Sequence, residues 1–144
     1  MENNSNTLIF KRQTQRYFNP IGSMGADDIE KVALYYINNV IDKYGLKAEV
    51  IALAITGSRS RGSERPNSDL DIVVEFSTKE REDSLFNIFS STSFTINGIK
   101  VDINPIKADK NGTLEEYLER KIMDNQETEL KECIFKRGRG RLSI

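Results

Sequence analysis

The sequence predicts a single α/β domain, and three kinds of stretch predict it. Asp27 to Tyr44 carries apolar residues at helical spacing. Val50 to Thr56 is an unbroken apolar run. Leu70 to Phe76 and Lys100 to Asn104 both alternate apolar with polar residues, the period of a strand with one buried face. At 144 residues the chain fits one domain with a real core.

Residues 1–25 mix Asn, Thr, Gln, Pro20 and several glycines without a sustained period, and read as a tail, ordered at most around Leu8 to Phe10. The domain proper is expected over 26–135. Its first helix buries Ile29, Val32, Ala33, Tyr36, Ile37, Val40, Ile41 and Tyr44, with Asp27 and Asp28 favouring its start and Gly45 its stop. Val50 to Thr56 reads as a central strand buried on both faces. A polar segment from Gly57 to Ser68 precedes the second strand, Leu70 to Phe76. Glu82 to Ser90 is a short helix with Leu85, Phe86, Ile88 and Phe89. Phe94 to Ile96 and Lys100 to Asn104 are strands joined by Asn97-Gly98, a hairpin signal. Thr113 and Glu116 match a capping box, opening a helix that buries Leu114, Tyr117, Leu118 and Ile122. Two endings stay open for it: a break near Asp124-Asn125, or continuation to Phe135. Residues 136–144 contain basic residues alternating with glycine and are expected to be flexible.

Composition removes several chemistries. The chain has no histidine and one cysteine, Cys133. Histidine triads and the usual zinc sites are therefore excluded, and so is an internal disulfide, which suits a reducing cytoplasm. Any bound metal must be held by oxygen ligands, which points to magnesium, manganese or calcium. Acid–base work falls mainly to carboxylates, with Lys or Tyr as the remaining options. The net charge of −1 gives no global field for nucleic acid or membrane. No apolar run approaches the roughly 20 residues that cross a bilayer, and Met1 to Thr7 lacks the apolar core of a signal peptide.

The chemistry gathers in the middle. In a strand, alternate side chains share a face. Asp69, Asp71 and Glu75 thus share one face of the second strand, opposite Leu70, Ile72, Val74 and Phe76. Lys100, Asp102 and Asn104 share a face of the later strand, opposite Val101 and Ile103. If these strands are neighbours, three aspartates converge. Three close carboxylates repel one another unless a cation neutralises them, and magnesium does so while leaving sites for water and phosphate. Two such ions about 3.5–4 Å apart can hold both the attacking and the leaving oxygen of a phosphoryl displacement. Gly57-Ser58 offers the other half: a tight turn and, where a helix follows, free N–H groups and a hydroxyl for phosphate. Arg59, Arg61 and Arg65 are candidates for phosphate oxygens. Glu75, further along the strand, is expected to be peripheral.

The stretch ITGSRSRGSERPNSDLDIVVEF, with VDIN downstream, resembles the nucleotidyltransferase superfamily related to DNA polymerase beta. That pattern is Gly-Ser, about ten residues, Asp-x-Asp, then a third acidic residue on another strand. The resemblance covers roughly Val50 to Ile106 and is nearest to minimal nucleotidyltransferases and to related modules of polyvalent proteins. It implies a polymerase-beta-like fold, a mixed sheet backed by helices. It assigns Ser58 to triphosphate binding, Asp69 and Asp71 to metal, and Asp102 to completing the metal site or activating the acceptor. The expected reaction moves a nucleoside monophosphate from a nucleoside triphosphate onto an acceptor hydroxyl, with two Mg2+ ions (or Mn2+) and release of pyrophosphate.

About forty residues follow Asp102, fewer than the acceptor-binding domain of larger family members, so a partner or a second subunit is expected to help. A protein acceptor, such as a toxin-like partner, is the first choice. RNA is second, with Lys136, Arg137, Arg139 and Arg141 as its electrostatic contact. A homodimer is compatible with both, and no membrane association is expected.

Gly-Ser after a strand, or Asp-x-Asp alone, is common and uninformative; their joint spacing with Asp102 carries the reading. Two other classes compete. A nucleotide-sugar glycosyltransferase would use Asp-x-Asp but leaves Gly57-Ser58 unexplained. A catalytically inactive nucleotide-binding or partner-binding module would keep the fold and lose the turnover.

Overall fold

The computed structural model describes residues 5–123. In chain order its elements are α1 (Asn6–Tyr17), α2 (Ala26–Tyr44), β1 (Ala48–Thr56), α3 (Gly57–Ser60), β2 (Leu70–Thr78), α4 (Glu82–Ser91), β3 (Thr95–Ile96), β4 (Ile99–Lys107) and α5 (Ala108–Asn111). A further helix, α6, runs from residue 114 to residue 123. The basic segment 136–144, Cys133 and any continuation of α6 lie outside the described residues.

The four strands form one mixed sheet in the order β1-β2-β4-β3. β1 runs antiparallel to β2, β2 parallel to β4, and β3 closes a hairpin on β4. This is the expected α/β architecture. Parallel neighbours need a crossover, and α4 supplies it between β2 and the β3–β4 hairpin. Asn97 and Gly98 both take positive φ, as a two-residue hairpin turn requires.

The alternation of β2 and β4 sorts their side chains between two layers. Leu70, Ile72, Val74, Phe76, Val101 and Ile103 pack against α2 and α4, meeting Ile29, Ala33, Ile37, Leu85 and Phe89. Val73, Ile106 and Ala54 of β1 face the other way, onto Phe10 of α1 and Leu114 and Leu118 of α6. The candidate aspartates belong to this second face.

Several expectations change. The first strand is not central: β1 forms an edge of the sheet, and only its last four residues are buried, so Ile51 is 52% exposed. Its apolar run reflects two covering layers near its C-terminal end, where Leu53 and Ile55 meet one cluster and Ala54 the other. Tyr44 and Val32 lie at the margins of the α2 stripe and are exposed at 46% and 38%. Tyr36 is partly buried and stacks on Phe94, with ring centroids 3.8 Å apart.

The largest difference is at the N-terminus. Residues read as a tail form α1, twelve residues long. Its mean hydropathy is low, so no apolar stripe announced it. It is held by few but specific contacts instead. Phe10 and Thr14 are its buried residues. The Ser5 hydroxyl accepts from Leu8 N–H at 3.1 Å. The Glu115 carboxylate of α6 accepts from the N–H groups of Asn6 and Thr7 and from the Thr7 hydroxyl, satisfying amides that have no partner within a helix. Beyond α1, Phe18 and Ile21 are buried in the larger core cluster.

The capping box is present as expected: Glu116 N–H donates to Thr113 Oγ1 at 3.2 Å, and Thr113 N–H to Glu116 Oε1 at 2.9 Å. Among the described residues no helix is long and apolar enough to cross a membrane.

Candidate active site

The turn after β1 sets the site. Gly57 takes φ +75°, and a Cβ placed there would lie 2.5 Å from Asp71 Oδ2. Only glycine offers both the left-handed backbone and the missing atom. Thr56, the last residue of β1, is the register partner of Asp71, so the turn closes directly over that carboxylate.

Across the sheet, Asp71 is paired in register with Asp102. Neighbouring strands lie about 4.8 Å apart, and in-register partners on parallel strands project from the same face. Asp69 sits one residue ahead of β2 and is exposed. The neighbour relation on which convergence depended therefore holds.

The electrostatics of Asp71 register its acidic neighbours. Asp71 is held above the ordinary carboxylate range, first by burial and then by the negative charges of Asp102 and Asp69. Lys121, from α6, pulls the other way. Asp102 also has Lys100 Nζ at 3.5 Å, but that pair is 46% and 68% exposed and contributes little.

Ser58 is half-buried in the one-turn helix α3. Its carbonyl accepts from the N–H groups of Arg61 and Ser63 at 3.1 and 3.0 Å, which folds the following loop back on the turn. The first amides of a helical turn have no intrahelical acceptor.

The arginines separate. Arg61 and Arg65 are exposed on the loop. Arg59 is not placed for phosphate: its residue is 5% exposed, and its Nε and Nη2 both donate to the Ser68 carbonyl, at 3.1 and 2.9 Å. Its side chain turns inward because a buried guanidinium needs acceptors, and the backbone just before Asp69 provides one. Glu75 is peripheral to the aspartates but not to the fold. It is 8% exposed, and Oε1 accepts the Leu114 N–H at 2.9 Å, capping α6.

Lys121 escaped the sequence reading. The stripe on its helix marked Leu114, Tyr117, Leu118 and Ile122, and nothing in that spacing says which polar residue of α6 overlooks β2. Its ammonium also lies 5.5 Å from the Tyr117 ring centroid, a cation–π contact.

The donor chemistry fits a hard divalent cation, since three carboxylates stand at one end of two strands with mutual repulsion to relieve. The carboxylates are not, however, gathered into a closed coordination set: among the described residues no three acidic, cysteine or histidine side chains are grouped to hold an ion.

Comparison with known proteins gives one positive result. The family described as polymerase beta, nucleotidyltransferase matches residues 37–129, more than half of the chain. No curated protein and no solved structure gives a match. The matched stretch contains the turn at Gly57-Ser58, all three aspartates and Lys121, and this chain belongs to the polymerase beta nucleotidyltransferase family.

Proposed function

We propose that this domain moves a nucleoside monophosphate from a nucleoside triphosphate onto an acceptor hydroxyl and releases pyrophosphate. One observation carries the reading. Asp71 and Asp102 are register partners on adjacent parallel strands, and the Asp71 carboxylate lies against the backbone of Gly57. On this reading the carboxylate pair and the phosphate turn form one site.

Asp69, Asp71 and Asp102 would hold Mg2+ or Mn2+. Bound there, the metal would neutralise the triphosphate and polarise the phosphorus under attack. The protein's own part is positioning. Gly57 and Ser58 receive the triphosphate, and Arg61 and Arg65 reach its outer oxygens from the loop. Lys121, whose charge already acts on Asp71, offsets negative charge from the side of α6. Asp102, on the strand that does not border β1 and its turn, accepts the proton of the acceptor hydroxyl or orients that hydroxyl.

For the acceptor we favour a protein, with RNA second. The ground is the resemblance to minimal nucleotidyltransferases. The test supplies each α-labelled nucleoside triphosphate with magnesium and a cell lysate, then separates protein, RNA and small molecules. Label retained by protein after RNase treatment supports the favoured acceptor, and RNase-sensitive label replaces it with RNA. Triphosphate binding without label transfer or pyrophosphate release would leave a nucleotide-binding module instead.

A further inference from the structure

The segment from α3 to the start of β2 carries the two halves of the proposed site near its ends, Ser58 in α3 at one and Asp69 at the other. A connected set of contacts crosses it. Arg59 grips the Ser68 carbonyl with two N–H groups. Its Nη1 lies 3.9 Å from Glu64 Oε2. The same Glu64 oxygen accepts from Asn19 Nδ2 at 2.9 Å. Asn19 lies two residues past the end of α1, and a Cβ on Gly62 would stand 2.3 Å from the Tyr17 carbonyl, so the end of α1 sits flush on the loop. At its other end α1 is anchored to α6 through Glu115.

Glu64 is an unfavourable choice for stability alone. Its Oε1 is buried and has no partner among the described residues, a costly state for a carboxylate. What the residue does achieve is to tie the N-terminal segment to Arg59. Both α1 and Asn19 lie outside the stretch matched by the family.

We infer that α1 and Asn19 act as a brace on the site loop, with Glu64 and Arg59 as positioning residues that fix Ser68 and thereby aim Asp69 and Asp71. The inference rests on the nucleotidyl-transfer reading for its functional half. Its structural half stands apart from it.

Asn19→Ala, Glu64→Ala and Glu64→Gln test it in the full chain. Asn19 is exposed, so its truncation leaves the fold intact. Glu64→Gln keeps an acceptor for Asn19 and should behave nearer to wild type than Glu64→Ala. Gln15→Ala is the control: it removes a contact between α1 and Asp27 of α2 without touching the loop. Hydrogen exchange of residues 61–69 reads the brace directly, and turnover at saturating triphosphate reads its consequence.

The expected result is faster exchange in that loop for Asn19→Ala and Glu64→Ala. Turnover should fall about tenfold, against the roughly 100-fold that a 1 Å misplacement can cost, with KM for the triphosphate little changed. Gln15→Ala should alter neither. Unchanged exchange overturns the brace, and faster exchange with unchanged turnover overturns the positioning role. If wild-type protein transfers no nucleotide to any acceptor, the reaction reading falls, and exchange alone decides the brace.

Discussion

Asp71 and Glu75 stand four residues apart on the same face of β2, and they have opposite fates. Glu75 is buried with its carboxylate on the Leu114 N–H, fastening α6 to the sheet. Among the described residues Asp71 has no such donor. Instead it faces Asp102 and Asp69, and burial and repulsion raise its pKa. Identical chemistry at the same phase of one strand thus becomes a structural tie in one case and an electrostatic load in the other. Carboxylates perturbed in this way cluster at functional sites. The comparison can be broken at either carboxylate.

The largest effect is expected at Asp71. Asp71→Asn should reduce nucleotidyl transfer on the order of 1,000-fold, the scale on which loss of a transition-state-stabilising group acts. The same change should raise the thermal midpoint in the absence of metal, because it removes a repelled charge. The sign follows from linkage. A carboxyl whose folded pKa is raised loses stability for the fold as pH climbs from its ordinary value through the raised one. The stability advantage of Asp71→Asn over wild type should therefore grow across that window and level off above it. Thermal melts between pH 4 and 8 check this, and an advantage that shrinks as pH rises would refute it.

Glu75→Ala should do the reverse. It leaves the Leu114 N–H buried without an acceptor, a loss of about 1–3 kcal/mol, readable as a lower denaturation midpoint. Per folded molecule, transfer should be far less affected than in Asp71→Asn.

Gly57→Ala sits between the two. A methyl group 2.5 Å from Asp71 Oδ2, on a backbone at φ +75°, must displace the carboxylate or the turn. A left-handed non-glycine residue alone costs about 1–2 kcal/mol. The variant should lose stability and activity together, and a structure of it should show Asp71 moved.

The smallest effect is at Glu115. Burial opposes its ionisation, but hydrogen bonds from Thr7 and Asn6 outweigh that and hold its pKa below the ordinary range. Its contribution is present above the ordinary glutamate pKa and disappears as pH falls through the lowered one. Glu115→Gln should lower the midpoint slightly at neutral pH, with the difference from wild type closing in acid. Exchange of the first α1 amides should report it before global unfolding does.

What could be read from the sequence follows from how local each feature is. The alternation of β2 and β4 is written in consecutive residues, so the aspartate face was legible from Asp69, Asp71 and Asp102 alone. The capping box at Thr113 and the Asn97-Gly98 hairpin are equally local. Features that depend on a distant partner were not legible. Burial at the end of β1 looked like a central strand, because two covering layers give the same apolar run as two flanking strands. α1 was missed because it is retained by Phe10, Thr14 and the carboxylate of Glu115 rather than by an apolar stripe. Arg59 read as a phosphate contact because its acceptor, the Ser68 carbonyl, is a backbone atom with no sequence signal. Lys121 faces Asp71 only through the packing of α6.

The central claim is that the carboxylates at Asp71 and Asp102 and the turn at Gly57-Ser58 form one nucleotidyl-transfer site. The most direct measurement incubates wild-type, Asp71→Asn and Asp102→Asn protein with α-labelled triphosphate, magnesium and lysate, and follows acceptor label and pyrophosphate together. The account predicts equal amounts of both products from wild type and near-complete loss of both in either variant, with each variant still folded. Transfer by Asp71→Asn at a rate close to wild type, or pyrophosphate release that ignores both substitutions, would contradict it.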